Sequence, residues 1–239
     1  MTNSSWNGLA LVVGAGGIGR ALVPALRRRC EDLTVVLCGR QLPAAAGWCV
    51  DLEDQRSLDA LQQRLGDAPQ PLRLVVNASG RLHGQGLQPE KRLQQVRADA
   101  LAASYAINAM APLLLAKAIE PCLERERPFH FASLSARVGS IGDNHSGGWY
   151  AYRAAKAAQN QLLRCLSIEW ARRYPQACVT LLHPGTTDTA LSRPFQSFVP
   201  PDKLFPPARA AEQLLDVLLS QSAADSGAFL AWDGQAIPW

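Results

Sequence analysis

The feature that most restricts this chain lies near its start. A short apolar run, residues 9–13, ends in Gly14-Ala15-Gly16-Gly17-Ile18-Gly19 and passes at once into a helical pattern over 18–29. Glycines at positions 14, 16 and 19 let the backbone turn tightly and let the helix pack closely on the strand before it. A strand that turns directly into a helix has its next partner as a parallel neighbour, reached by a crossover. Further apolar runs at 33–38, 48–50, 72–76, 129–134, 178–182 and 228–231 supply those neighbours. Helical patterns at 54–65, 98–123, 150–173 and 207–219 lie between or beside them. The runs are continuous in apolar character, as for strands buried on both faces. The expectation is an α/β fold, a single Rossmann-type domain over 1–239 whose doubly wound, mostly parallel seven-stranded sheet carries helices on both faces. Pro24 inside the first helix predicts a kink. Residues 198–207 form the longest irregular stretch and read equally as a substrate loop or a plain connection.

Composition narrows the function classes. With 48% hydrophobic and 18% charged residues in 239, the chain is neither disordered nor fibrous and is long enough to bury a full core. No run of 18 apolar residues suggests a membrane span. Residues 1–7 lack a basic stretch followed by an apolar one, so no secretory leader is expected. The net charge of +4 is carried mostly by dispersed arginines, and the run Arg27-Arg28-Arg29 suits a helix C-terminus better than a nucleic-acid patch. Six isolated cysteines, with no C-x-x-C, fit reduced thiols in the cytoplasm, and no metal-ligand spacing is present. A small molecule is therefore expected as partner, with neither nucleic acid nor membrane, and a homo-oligomer is left open.

The glycine loop between strand and helix is the arrangement that receives a dinucleotide pyrophosphate on a helix N-terminus, through Gly14, Gly16, Gly17, Ile18 and Gly19. After the second strand the sequence is Cys38-Gly39-Arg40-Gln41, with no acid to take a ribose 2′-hydroxyl. Arg40 offers instead a bidentate partner for a 2′-phosphate, which favours NADP over NAD. Tyr152 and Lys156 stand four apart on a helical pattern and so share one face.

In this order the motifs resemble the short-chain dehydrogenase/reductase family over nearly the whole chain. Asp51-Leu52 sits where that family contacts adenine. Asn77-Ala78-Ser79-Gly80 is similar to its turn after the fourth strand, and Asn108 falls at its mid-helix asparagine. Tyr152 and Lys156 fall on its catalytic pair. Pro184-Gly185-Thr186-Thr187-Asp188-Thr189 is similar to the loop at its nicotinamide end, bringing in Pro184, Gly185, Thr187 and Thr189. The segments 135–144 and 147–153 and the ending 232–239 resemble the C-factor and sniffer-type carbonyl reductases. The resemblance implies hydride transfer between nicotinamide and a carbonyl or alcohol substrate. Tyr152 would be the acid, Lys156 would lower its pKa and hold the ribose, Asn108 would hold a relay water, and a serine would orient the carbonyl. The chain departs from the family in three places. The glycine loop is one residue short. Ala136 stands at the register position of the serine, so either Ser135, preferred, or Ser140 substitutes, or the role is unfilled. Ala155 precedes the lysine where a serine is common. The alternative implied by these departures is a cofactor-binding sensor or signalling protein with little turnover.

Overall fold

The computed structural model describes residues 6–84 and 86–239. The N-terminal stretch read as lacking a leader lies largely outside them. In chain order the elements are β1 (Gly8–Val13), α1 (Gly17–Arg29), β2 (Leu33–Gly39), β3 (Trp48–Cys49), α2 (Gln55–Gly66), β4 (Leu72–Asn77), α3 (Ala98–Tyr105), α4 (Ala111–Ile119), β5 (Phe129–Leu134), α5 (Tyr150–Arg173), β6 (Ala177–His183), β7 (Thr186–Thr187), β8 (Leu204–Phe205), α6 (Pro207–Ser220) and β9 (Ala228–Ala231). Seven of the strands make one parallel sheet in the order β3-β2-β1-β4-β5-β6-β9. The chain leaves β1 in one direction and returns to β4 on its other side. That reversal opens a crevice at the C-terminal ends of β1 and β4.

Alternation along the strands sends side chains to two apolar layers. Leu9, Leu11 and Val13 of β1 join α2, α4 and α5 through Leu58, Leu115 and Leu163. Ala10 and Val12 join α1 and α6 through Leu22, Leu26, Leu214 and Leu218. Trp170 of α5 packs edge-on against Phe129 and Phe131 of β5, at 5.8 and 6.0 Å between ring centroids. The arginine run closes α1 as expected and faces α6, where Arg28 meets Glu212 at 2.5 Å and Arg29 meets Asp216 at 2.6 Å. These pairs are exposed and add little to stability.

Three expectations are refined. The first helix runs unbroken across Pro24, whose ring sits on its exposed face. There the Arg20 carbonyl that loses its N–H partner is open to water. The pattern read as one helix over 98–123 is α3, a π turn at Ala106–Met110, α4 and a short 3-10 turn. Pro112 cannot supply the N–H that the Asn108 carbonyl receives in an α-helix, and the wider turn accommodates that loss. By length and composition Ala98–Cys122 is apolar enough to cross a membrane, yet 56% of its window is buried in this fold, as befits a core helix. Finally, 198–207 is not a bare connection: β8 lies inside it and pairs with β7, through Thr186 with Leu204 and Thr187 with Phe205.

The core carries a pH liability. His130 of β5 is 4% exposed and stacks edge-on with Trp6, and its Nδ1 has no hydrogen-bond partner among the described residues. Burial, aided by the Arg73 charge, pushes its pKa down from 6.5 to about 4. The unfolded chain therefore binds this proton first, and stability falls as pH drops from about 6.5 toward about 4. We expect a loss approaching ~3 kcal/mol across that window from this residue. Urea midpoints at pH 7.5 and 4.5 measure it, and His130→Leu should flatten the slope. An unchanged slope in that variant would refute the assignment.

Candidate active site

A groove of about 790 Å³ opens at the crevice. Of the residues singled out in the sequence, Gly14, Gly16, Gly17, Ile18, Arg40, Asp51, Leu52 and Thr189 line it. The glycines act differently. Gly14 has φ +116°, and a Cβ there would stand 2.6 Å from the Ala78 carbonyl carbon. Gly19 packs directly on the Gly14 carbonyl oxygen, so the loop closes on itself although it is one residue short. Gly16 has ordinary extended backbone, and a Cβ there would meet nothing within 4 Å. Its face of the groove is open space at the head of α1. Among the described residues that helix has no side-chain cap, and its first turn carries no acid. By contrast α2 is capped by Asp54, whose carboxylate accepts the Arg56 N–H at 3.1 Å. The start of α1 thus presents unpaired N–H groups and the positive end of its dipole to the groove, which fits a pyrophosphate.

Three arginines, Arg20, Arg40 and Arg81, line the same groove. Arg20 is held on the glycine loop by its Nε donating to the Ala15 carbonyl at 2.9 Å. Glu53 bridges Arg40 and Arg81 at 3.7 Å each. An acid thus does reach the end of β2, from the turn before α2. The Arg40 pair is long and half exposed, so it restrains the guanidinium weakly. Sequence reasoning missed Arg20, Glu53 and Arg81. Arg20 and Arg81 each directly follow a recognised motif, and that adjacency was the available signal.

Other predicted residues sit behind the lining. Asn77 is fully buried. Its Oδ1 accepts from the Ser79 N–H and hydroxyl at 3.2 and 2.6 Å, and its Nδ2 donates to Ser133 Oγ at 2.9 Å. It shapes the turn that brings Ser79 and Gly80 to the groove. Pro184 and Gly185 do not reach the groove, and Gly185, at φ +72°, packs against Phe205 and Trp232. Thr187 is buried, and its carbonyl accepts the Ser192 hydroxyl at 2.5 Å.

Tyr152 and Lys156 lie one turn apart on α5, with Nζ 5.7 Å from the Tyr152 ring centroid. The start of this helix is set from outside. Trp149, at φ 50°, donates its N–H to the Glu90 carbonyl at 2.5 Å, and the Ala151 N–H donates to the buried Glu90 carboxylate at 3.2 Å. Trp149 meets the Tyr152 ring edge-on at 6.4 Å, and Phe195 tilts against Trp149 at 4.9 Å. Burial holds the Tyr152 phenol above its usual range, so it carries its proton at neutrality. Burial also lowers the Lys156 ammonium to about 7. Lys156 Nζ donates to the Leu134 carbonyl and to Gln159 Oε1, each at 2.9 Å.

Neither serine is brought onto Tyr152 by a hydrogen bond. The Ser135 hydroxyl donates to Asn160 Oδ1 at 2.6 Å, as expected if residues 135 and 136 face opposite ways at a strand end. Ser140 Oγ accepts the Asp143 N–H at 3.1 Å. The Asn108 side chain is committed as well: Oδ1 accepts the Arg81 N–H at 2.9 Å, and Nδ2 donates to the Arg81 carbonyl at 2.8 Å. It fastens the loop after β4 to the π turn, while the Asn108 main-chain carbonyl receives no N–H from Pro112.

The chain is similar to known proteins. A family model described as short chain dehydrogenase matches residues 8–199. The 1-hydroxy-2-glutathionyl-2-methyl-3-butene dehydrogenase of Rhodococcus sp. (strain AD45) is 32% identical over 96% of this chain and 98% of its own. The C-signal protein of Myxococcus xanthus is 33% identical over 58% of this chain and 78% of its own. Among solved structures, the carbonyl reductase Sniffer of D. melanogaster superposes with a TM-score of 0.81 at 22% identity, covering 98% of this chain and 99% of its own. An NADPH-bound carbonyl reductase from chicken fatty liver gives 0.77 at 24% identity, covering 98% and 99%. At these identities the superpositions speak to the fold.

Proposed function

We propose NADPH-dependent reduction of a small-molecule carbonyl for this chain, which belongs to the short-chain dehydrogenase/reductase family and is an oxidoreductase of that type. The observation that carries the cofactor half is the open Gly16 face at the uncapped head of α1, flanked by three arginines. Gly14, Gly16, Gly17 and Gly19 would hold the pyrophosphate, Asp51 and Leu52 the adenine, and Arg40 the 2′-phosphate. The nicotinamide, when bound, supplies the hydride. Tyr152 holds the proton destined for the carbonyl oxygen, and its raised pKa keeps that proton in place for reduction. Lys156, when charged, favours the phenolate left behind and offers its remaining N–H to the ribose. Asn108 fixes the Arg81 loop that walls the site. Ser135 orients the carbonyl only on releasing Asn160, and Ala136 supplies no hydroxyl in its stead. Pro184, Gly185, Thr187 and Thr189 would flank the nicotinamide end. Trp149 and Phe195 give the substrate an apolar, aromatic wall. The six free cysteines suit a reducing cytoplasm.

NADPH consumption against a panel of aldehydes, ketones and quinones tests the reaction. Turnover with none of them, alongside tight NADPH binding, would favour the second reading: a cofactor-binding signalling protein, a reading supported by the unfilled serine position and the likeness to the C-signal protein. The cofactor choice is tested by titrating NADPH and NADH separately. A charge-assisted bond to the 2′-phosphate is worth ~1.5–3 kcal/mol, so Arg40→Ala should weaken NADPH binding about tenfold or more and leave NADH unchanged. Equal losses for both cofactors would remove Arg40 from that role.

A further inference from the structure

Gln159 follows Lys156 by three residues on α5 and is fully buried against the sheet. Farther along the buried face of this helix come Leu163, Leu166 and Trp170. A buried amide at such a position is costly unless its polar atoms are paired. Here they are. Oε1 accepts from Lys156 Nζ at 2.9 Å, while Nε2 donates to Ser133 Oγ at 2.7 Å and to the Leu134 carbonyl at 3.3 Å. Ser133 Oγ also accepts from Asn77 Nδ2, and Asn77 Oδ1 accepts a hydrogen bond from the hydroxyl of Ser79, a lining residue of the groove. A hydrogen-bonded chain therefore runs from the groove wall through Asn77, Ser133 and Gln159 to Lys156.

We propose that Gln159 is a positioning residue for Lys156, docking the ammonium between β5 and the groove wall and supplying the acceptor that keeps it protonated there. An ammonium has three N–H groups. The Leu134 carbonyl and Gln159 take two and leave one. Gly80 borders the remaining side, since a Cβ built on it would lie 3.8 Å from Nζ. Both acceptors are neutral, so the charge has no counter-ion among its hydrogen-bond partners. Of the charged or titratable groups around it, the Tyr152 ring lies 5.7 Å from Nζ, Glu90 sits at the head of α5, α3 carries Asp99 and Tyr105, β5 carries His130, and Arg81, Arg137 and His183 lie at the ends of β4, β5 and β6. Burial is what depresses the ammonium. Under those conditions the dipole of one amide oxygen weighs heavily on the proton.

The proposal rests on the family reading of Lys156 only where turnover is concerned, and its first test avoids turnover. The chain has four lysines, Lys91, Lys117, Lys156 and Lys203. Protein labelled with ε-13C-lysine should thus give four side-chain signals, with Lys156→Met identifying the relevant one. We expect the Lys156 titration midpoint to fall by about one unit in Gln159→Leu, which removes the acceptor, and to rise by about one unit in Gln159→Glu, which supplies a counter-ion. Opposite shifts from two substitutions at one site are not what a purely structural role produces. Coincident midpoints in all three proteins would overturn the proposal. Should Gln159→Leu not fold, Gln159→Glu alone must move the midpoint up; no movement there overturns it as well. In the second test the alkaline limb of kcat/KM for NADPH-driven reduction is followed in the same variants. A limb that tracks the three midpoints supports both readings. Shifted midpoints with an unmoved limb leave Gln159 in its role and overturn the assignment of Lys156 to the reaction.

Discussion

Tyr152→Phe should abolish carbonyl reduction while NADPH still binds. The ring and its contact with Trp149 remain, and only the proton donor is lost. A positioned general acid contributes ~10²–10⁴ in rate, so turnover should fall by at least about a hundredfold. Steady-state kinetics on any substrate from the carbonyl panel, with binding followed by nucleotide fluorescence, separates the two effects. A variant that keeps most of its turnover number removes Tyr152 from the role of acid. The pH dependence offers a second view of the same pair. The Tyr152 proton is held well above neutrality, whereas Lys156 titrates at about 7. The value of kcat/KM, which reports the free enzyme, should thus decline as pH rises through about 7, where Lys156 loses its charge.

Two glycines three positions apart in the same loop should both lose cofactor binding when substituted but differ in their effect on stability. Gly16→Asp places a side chain where nothing lies within 4 Å, on backbone any residue adopts, at the N-cap of an uncapped helix. Its carboxylate can accept the orphan N–H groups of α1, so thermal stability should rise by about a few tenths of a kcal/mol. The same carboxylate occupies and repels the pyrophosphate position, and NADPH affinity should fall by at least about a hundredfold. Gly19→Ala drives a Cβ into the Gly14 carbonyl oxygen in the tightest part of the loop. It should lose both stability, by ~1–3 kcal/mol, and binding. Calorimetric melting and cofactor titration of the two variants decide the matter. Unimpaired NADPH binding in Gly16→Asp would mean that the groove does not receive the pyrophosphate at the head of α1.

Much of this architecture was legible because its signals are local and periodic. The range Tyr150–Arg173 could be read from helical spacing, and Ala228–Ala231 from a short apolar run. The β1–glycine loop–α1 unit carried its own explanation. What escaped depends on groups far apart in the chain. Glu53 directly follows Asp51-Leu52, but nothing in that pair says that the next side chain reaches Arg40 and Arg81. The break between α3 and α4 was signalled by Pro112, but an apolar run long enough for one helix masked it. Ser135 could be placed at the end of β5 from sequence, yet its commitment to Asn160, twenty-five positions away, could not. The buried partner of Lys156 sat in plain view three residues on, and helical spacing put it on the same face. What the sequence lacked was the strand it meets.

The attachment of Glu90 to the head of α5 also bears on how this enzyme could be redesigned. The stretch between β4 and α3 resembles an ordinary surface insertion, the kind of segment exchanged between relatives to alter substrate preference. Here it is spliced into the machinery at both ends, through Arg81 on Asn108 and through Glu90 on Trp149 and Ala151. A graft that replaces residues 81–97 without an acid at position 90 would release the first turn of the helix bearing Tyr152. Lost activity in such a chimera would then report a displaced Tyr152 and say nothing about the substrate. Transplanting the segment together with 147–152 would keep the joint intact and make specificity a separable trait.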